Sequence, residues 1–125
     1  MSFSTTVDQA ALDWFLTTYT TLYAGYSTTT PTKAGANVTE PAGATGYARV
    51  DISANMARTG SEIDNTAEIT FPAATGDQGT VTHAVIYDAD TAGNMLWFGA
   101  LTDSKVVSSG DTSRFPAGDF NLTMV

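Results

Sequence analysis

The sequence predicts a mainly β fold, an antiparallel β-sandwich of the jelly-roll or Greek-key type with one short N-terminal helix. Several short runs are rich in Val, Ile, Thr, Tyr and Phe, which suit pleated, half-buried strands. Stretches rich in Gly, Pro, Asp and Asn separate these runs at the spacing of a sandwich or barrel. A partly closed barrel is the alternative.

The stretch from Asn65 to Asp103 carries the strongest strand signal. It holds three β-rich runs, at Ala67–Phe71, Thr80–Tyr87 and Met95–Leu101. Runs that follow one another across turn residues predict antiparallel neighbours. The last run, MLWFGAL, is apolar on both faces, so we expect it to be the central strand of the sheet.

Weaker strand signals lie on either side of this stretch. Further strands are expected at Leu22–Ser27, Tyr47–Ile52 and Lys105–Ser108, and at the C-terminus, where Phe120, Leu122 and Met124 alternate. In the YARVDI run, Tyr47, Arg49 and Asp51 fall on one face because successive side chains alternate. Residues 53–64 are polar and mixed and predict no definite element.

A helix is predicted over roughly residues 6–17. Thr6 and Gln9 have the spacing of a capping box, in which each side chain satisfies a backbone N–H of the other residue. Four apolar side chains share one face at helical spacing: Val7, Ala11, Trp14 and Phe15. The threonine-rich segment that follows lowers helix propensity and should end the helix.

The length of 125 residues predicts a single domain over residues 1–125. Within it, residues 1–19 form the helical segment and residues 28–46 form a long loop. Loops of this length are usually functional or mobile.

The composition argues against several classes of protein. With 13 acidic and 5 basic residues, the net charge is −8, and the basic residues form no cluster that could bind nucleic acid or an anionic membrane. The N-terminus has no signal-peptide pattern and no run is long enough to span a membrane. The absence of cysteine excludes disulfides and thiolate metal sites, and no cofactor or metal is expected.

No residue pattern predicts catalysis. His83 is the only histidine, and no nucleophile elbow accompanies it, so we expect a hydrogen-bonded sheet histidine. Asp88, Asp90 and Asn94 resemble part of a calcium loop, but no bidentate Glu follows, which favours a hairpin loop. No pair of carboxylates stands out for glycoside cleavage. We therefore expect a protein that is not an enzyme.

Two segments are candidates for protein contacts. Aromatic residues crowd the start of the chain at Trp14, Phe15, Tyr19, Tyr23 and Tyr26. They could pack the helix onto the sheet or anchor an interface, and the two interpretations are compatible. The long loop, with Lys33 and Asn37, is the second candidate because its composition does not suit a core.

Three segments resemble one known group of proteins: GYARV, the run from NTAEITFPAATG to FGALTDSKVV, and SGDTSRFPAGDF. They are similar to small virion structural proteins of tailed bacteriophages, of the tail-fibre-like or capsid decoration kind. The resemblance covers nearly the whole chain and is strongest from Tyr47 to Phe120. It implies a component of the outer surface of a phage particle, made in the cytoplasm of the bacterial host.

Together these features favour a capsid decoration, or cement, protein. Such a protein would bind the major capsid protein and further copies of itself, as a dimer or trimer, and would stabilise the assembled shell by mass action. The alternative is a tail-fibre or receptor-binding module that contacts host surface glycans, through an aromatic and polar groove near Trp97 or the DADTAGN turn.

Overall fold

The computed structural model describes residues 2–123, in which nine strands form three antiparallel sheets beside one helix. This confirms a mainly β fold with a short N-terminal helix. Helix α1 spans Thr5–Thr18. The strands are β1 (Tyr23–Ser27), β2 (Val50–Asp51), β3 (Met56–Thr59), β4 (Glu62–Asn65), β5 (Ile69–Thr70), β6 (Gly79–Tyr87), β7 (Met95–Val107), β8 (Arg114–Phe115) and β9 (Asn121–Thr123).

The sheets differ in size. Their strand orders are β2-β1-β6-β7, β3-β4-β9 and β5-β8. A jelly roll places eight strands in two sheets, so that finer prediction is not confirmed. A single cluster of buried side chains draws on the helix and on strands of all three sheets.

The prediction that Met95–Leu101 is the central strand is wrong. β6 has a partner on each side, whereas β7 lies at the edge of the four-stranded sheet. The side chains of β7 are half-buried over Met95–Gly99, and Trp97 packs against Phe120 with ring centroids 5.6 Å apart. A run that is apolar on both faces therefore indicates that both faces of the strand are covered. It does not show whether the strand has a hydrogen-bonded neighbour at each of its two edges.

The ladder between β6 and β7 is interrupted. Val81 pairs with Lys105 and His83 pairs with Ala100, so residues 101–104 of β7 lie opposite a single residue of β6. The residues beyond this bulge continue the same strand. The separate strand predicted at Lys105–Ser108 is therefore the far end of β7.

The first of the three central runs also has a different partner from the one predicted. Ile69–Thr70 pairs with Arg114–Phe115 and not with β6. Residues 53–64, left unassigned by the sequence, include β3 and the first part of β4, which form a hairpin around Gly60. Gly60 has a φ of 63°, which a residue without a Cβ adopts readily.

The strands predicted at the two ends of the sheet region are only partly confirmed. The terminal strand buries Phe120 and Leu122 as expected, and Met124 lies outside the described residues. Within the YARVDI run, only Val50–Asp51 forms a strand that pairs with another strand. Tyr47 and Arg49 do share a side, because both donate hydrogen bonds to Glu40, whereas Asp51 is exposed.

The N-terminal cap of α1 is Ser4, not Thr6. Its hydroxyl oxygen accepts a hydrogen bond from the backbone N–H of Val7 at 3.3 Å. Ser4 has extended backbone angles, as a capping residue requires. The helix therefore begins one residue earlier than predicted.

The buried face of α1 also differs from the prediction. Leu12 is buried, and Phe15, Leu16 and Tyr19 pack around it against the core. Val7 and Trp14 face outward. Both faces of the helix carry apolar side chains, and the face with Leu12 is the one that packs on the sheets.

A chain of aromatic rings joins the sheets. Tyr26 of β1 contacts Phe71, Phe71 contacts Phe115 of β8, and Phe115 contacts Phe120, with centroid separations of 4.7, 5.7 and 5.3 Å. The Tyr26 hydroxyl donates to Oε1 of Gln78 at 2.6 Å, and burial raises the pKa of this phenol. These edge-to-face contacts hold β1 against β8 and the start of β9.

Asn65, at the end of β4, fixes the C-terminal segment. It is 1% exposed. Its Nδ2 donates to the carbonyl oxygens of Ala67 and Pro116, at 2.8 and 3.0 Å, and its Oδ1 accepts from the backbone N–H of Phe120 at 2.9 Å. One amide thereby bonds three backbone groups, of which the N–H of Phe120 is buried, and joins the end of β4 to a segment about fifty residues later.

We expect Asn65→Ala to lower the free energy of unfolding by about 2–4 kcal/mol, because it leaves the buried N–H of Phe120 without a partner and removes two further bonds to backbone carbonyls. Urea denaturation measures the loss. The control is Asn121→Ala, since Asn121 bonds the exposed carboxylates of Glu62 and Asp64, and a loss below about 1 kcal/mol is expected there. Equal losses for the two variants would contradict this account.

Candidate functional site

The structure separates the residues that the sequence suggested as an interface. Trp14, Phe15 and Tyr19 lie together at the C-terminal end of α1, with Tyr19 within 5.9 Å of both other rings. Tyr23 is half-buried in β1. Tyr26 is 1% exposed and belongs to the core.

The two loop residues of that set lie elsewhere. Lys33 lines a cleft with Trp97, Asn121 and neighbouring residues of β7. Asn37 has a φ of 59° and its Nδ2 donates to the carbonyl of Thr30 at 2.8 Å, which closes a turn inside the loop. Of the set, Trp14 and Lys33 remain the strongest candidates for contacts with other molecules.

The outer face of α1 is the first candidate surface. On the helix, Val7 and Trp14 are 45% and 59% exposed, and Ala10 is exposed between them. Phe3, which precedes the helix, is 66% exposed. Sequence reasoning missed Phe3 and placed Val7 on the packing face. The three- and four-residue spacing of Val7, Ala10 and Trp14 was the signal that could have found the exposed positions on the helix.

The second candidate surface is a groove around Trp97. Its volume is about 430 Å³, and it lies between β7 and the segment that leads into β9. Polar side chains line it beside the indole: Thr102, Asp103, Lys105, Asp119 and Asn121. A cleft of about 540 Å³ continues it past Trp97 to Lys33.

The position of the indole depends on Gly99. A Cβ atom built at Gly99 would lie 2.6 Å from Cζ2 of Trp97. The ring therefore lies directly over the glycine, with Phe120 beside it. The polar groups and the ring meet along one exposed groove, an arrangement that suits a ligand with both hydroxyl groups and apolar faces.

An ion pair anchors the long loop. Arg49 donates to both carboxylate oxygens of Glu40, at 2.7 and 3.0 Å, and to the carbonyls of Ala89 and Ala92, at 2.8 Å each. The Arg49 side chain is only 7% exposed. Its guanidinium carbon lies 3.7 Å from the ring centroid of Tyr87. A single side chain thus joins the loop, β2 and the 88–94 hairpin.

The surroundings of this pair shift several pKa values. Burial raises the pKa of Tyr47 far above its usual range, and the charge and hydrogen bond of Glu40 raise it further. Burial by itself lowers the pKa of Arg49, but the hydrogen bonds and charge of Glu40 outweigh it and leave the pKa raised. Tyr47 and Arg49 therefore keep their protons in the folded chain. This cluster holds the loop in place and is not an acid–base pair.

The whole of this described region matches one family of proteins. A family model for the Podophage GP4 fiber I protein gp80 matches residues 2–123. The chain belongs to this fibre-protein family. It is accordingly a structural component of a tailed-phage virion, as the sequence resemblance implied. A search of curated proteins finds no match to the chain.

The residues that were considered for catalysis or metal binding make local hydrogen bonds. Nδ1 of His83 and the hydroxyl of Thr82 lie 2.8 Å apart in β6. Asp88 accepts hydrogen bonds from the backbone and side chain of Asn94, which lower its pKa and close the hairpin loop. Within residues 2–123, no cluster of His, Cys, Asp or Glu could hold a metal ion, and no helix is long and apolar enough to cross a membrane.

We expect Arg49→Met to lower the stability of this fibre-family protein by about 3–5 kcal/mol, because it leaves Glu40 partly buried without its cation. Adding Glu40→Gln should restore part of the loss. The control is Arg114→Met, which breaks the exposed Arg114–Glu68 pair and should cost less than about 1 kcal/mol. Thermal and urea unfolding measure all three. Equal costs for Arg49 and Arg114 would refute the anchoring role.

Proposed function

We propose that the chain is a subunit of a fibre on a tailed-phage particle, and that it acts through protein contacts and not through catalysis. The match of the fibre-protein family to residues 2–123 carries this proposal. Synthesis in the host cytoplasm before assembly is part of it. The partners would be other virion proteins and further copies of the chain.

The structure supports a binding role in two ways. The outer face of α1 exposes large apolar side chains, and such patches commonly mark protein contacts. The groove around Trp97, beside the edge strand β7, is a second surface. Two separate surfaces suit a subunit that is attached on one side and displays the other.

Capsid decoration, which the sequence favoured, is now the weaker proposal. Its support was a general resemblance to virion proteins, whereas the matched family is named for a fibre. Contact with the major capsid protein belongs to that weaker proposal. The two differ in copy number, since a shell repeats its sites far more often than a tail does.

We expect purified particles to carry few copies of the chain relative to the major capsid protein. Quantitative mass spectrometry gives the ratio, and gold-labelled antibodies in electron micrographs give the position. Labelling confined to the tail, with tens of copies or fewer, supports the fibre proposal. Labelling over the whole shell in a simple ratio to the capsid subunit would support decoration instead, and absence from the particle would reject both.

The Trp97 groove favours a second candidate function, recognition of host surface glycans. Sugar rings present C–H faces that pack on an indole and hydroxyls that bond to carboxylates and amides. The groove places Trp97 beside Asp103, Asp119 and Asn121. The cationic Lys33 lies at the far end of the groove, where it would attract an acidic sugar.

Trp97→Ala should weaken binding to lipopolysaccharide or capsular polysaccharide of a susceptible host at least about tenfold. Trp14→Ala, at the only other tryptophan, is the matched control and should leave binding unchanged. Asn121→Ala tests the groove without removing the indole. Titrations followed by calorimetry measure the affinities. Equal binding by all variants, or no binding by the wild type, would reject this function.

A further inference from the structure

We propose that Lys33 determines which saccharide the Trp97 groove binds, by selecting a chain that carries a carboxylate or phosphate on or beside the sugar that contacts the indole. This inference rests on the glycan recognition proposed above and deepens it, because it names the class of ligand and the residue that selects it. Three features of the structure carry it: the partners of the other cations, the loop that holds Lys33, and the distribution of charge along the groove.

Lys33 differs from the other four basic residues in its lack of a partner within residues 2–123. Arg49, Arg58 and Arg114 each form an ion pair with a carboxylate. The ammonium group of Lys105 donates to the carbonyl oxygen of Arg114 at 2.8 Å. The exposed Lys33 side chain makes no hydrogen bond or ion pair with any of the described residues. The fold therefore uses four cations and leaves the fifth for contacts outside the chain.

The loop holds Lys33 at a defined place beside β7. The N–H of Gly35 donates to the carbonyl oxygen of Thr32 at 2.9 Å, and the N–H of Thr32 donates to the carbonyl oxygen of Ala36 at 3.0 Å. These bonds close a turn with Lys33 at its second position. A Cβ atom built at Gly35 would lie 3.7 Å from Cβ of Met95, so the turn rests against the start of β7. A cation on an ordered turn loses less conformational entropy when it binds a ligand.

Trp97 lies between this cation and the acidic part of the groove. The groove of about 430 Å³ and the cleft of about 540 Å³ share Trp97 as a lining residue. Lys33 lines only the cleft, whereas Asp103 and Asp119 line only the groove. Lys105 also lines the groove, but its ammonium group is bonded to a backbone carbonyl. A sugar on the indole therefore has a free cation on one side and two carboxylates on the other.

This arrangement discriminates between saccharides. Carboxylates accept hydrogen bonds from sugar hydroxyls, but they repel an anionic group, and such repulsion is a common source of specificity. An anionic group is therefore favoured at the Lys33 side of the indole and disfavoured at the side with Asp103 and Asp119. The ligand that fits is a saccharide whose charge lies at one side of the sugar bound at Trp97.

The net charge of the chain makes this selection local. At a net charge of −8, the surface as a whole repels polyanions, and charges more than about 8–10 Å away are largely screened at physiological salt. A single free lysine in such a surface attracts an anion only when other contacts hold the ligand in place. The indole supplies those contacts, so recognition requires the sugar ring and the charge together.

The test compares two variants at Lys33 with one control. Lys33→Met removes the charge and keeps most of the length of the side chain, whereas Lys33→Arg keeps the charge. The control is Arg114→Met, which removes one positive charge from a side chain that lines neither cavity. Lys33→Met should leave the unfolding midpoint unchanged, because the side chain bonds no other described residue.

The probes are oligosaccharide fragments of the capsular polysaccharide and lipopolysaccharide of a susceptible host. Each is titrated by calorimetry before and after chemical reduction of its carboxyl groups or removal of its phosphates. We expect the wild type to prefer a native fragment at least about fivefold over its neutralised form. Lys33→Arg and Arg114→Met should keep this preference, and Lys33→Met should abolish it. The treatment that removes the preference identifies the anionic group as a carboxylate or a phosphate.

Three outcomes would overturn the proposal. They are equal binding of native and neutralised fragments by the wild type, a Lys33→Met variant that keeps the preference, and a Lys33→Met variant whose only defect is weaker self-association in sedimentation. The last would make a second copy of the chain the partner of Lys33. All three leave glycan binding at Trp97 to be judged by Trp97→Ala. A wild type that binds no fragment would reject both glycan recognition and this selection, and the copy number in particles would still test the fibre proposal.

Discussion

The placement of the long loop depends on the largely buried ion pair between Arg49 and Glu40. Residues 28–46 contain no strand and only a single 3₁₀ turn, at Gly43–Thr45. Glu40 connects this segment to Arg49, and Arg49 continues to the carbonyls of the 88–94 hairpin. Burying two charges is costly unless both are fully bonded. The ion pair therefore acts mainly by fixing the loop in one position. The attraction between the two charges contributes less.

Local patterns predicted the elements whose neighbours are close in the sequence. β1 and β6 appeared where their β-rich runs predicted them, and the hairpin of β6 with β7 followed from the turn residues at 88–94. The partner of β5 could not be read in this way, because Ile69–Thr70 pairs with a strand more than forty residues later. The pairing register of short strands that lie far apart in the sequence depends on tertiary packing. The local pattern of apolar residues does not reveal it.

The candidate surfaces were harder to predict than the strands. Val7 and Trp14 are apolar, and the sequence pattern alone favoured burial for both. Burial was decided by the competing face of the same helix, since Leu12, Phe15 and Leu16 present more apolar surface to the sheets. The sequence predicted a groove near Trp97 but not its shape, because the opposite wall is formed by Asp119 and Asn121. An aromatic residue in a sequence can indicate one wall of a binding site, but the fold determines which residues form the opposite wall.

The bulge in β7 has a consequence for copies held side by side on a particle. An unbroken edge strand of thirteen residues would offer neighbouring molecules a long template for backbone pairing. Because residues 101–104 leave the ladder, the straight part of that edge is short. Copies that meet at this edge thus lack a long regular strand for amyloid-like pairing. The irregularity that weakens one ladder therefore also makes the edge a poorer template for unwanted association.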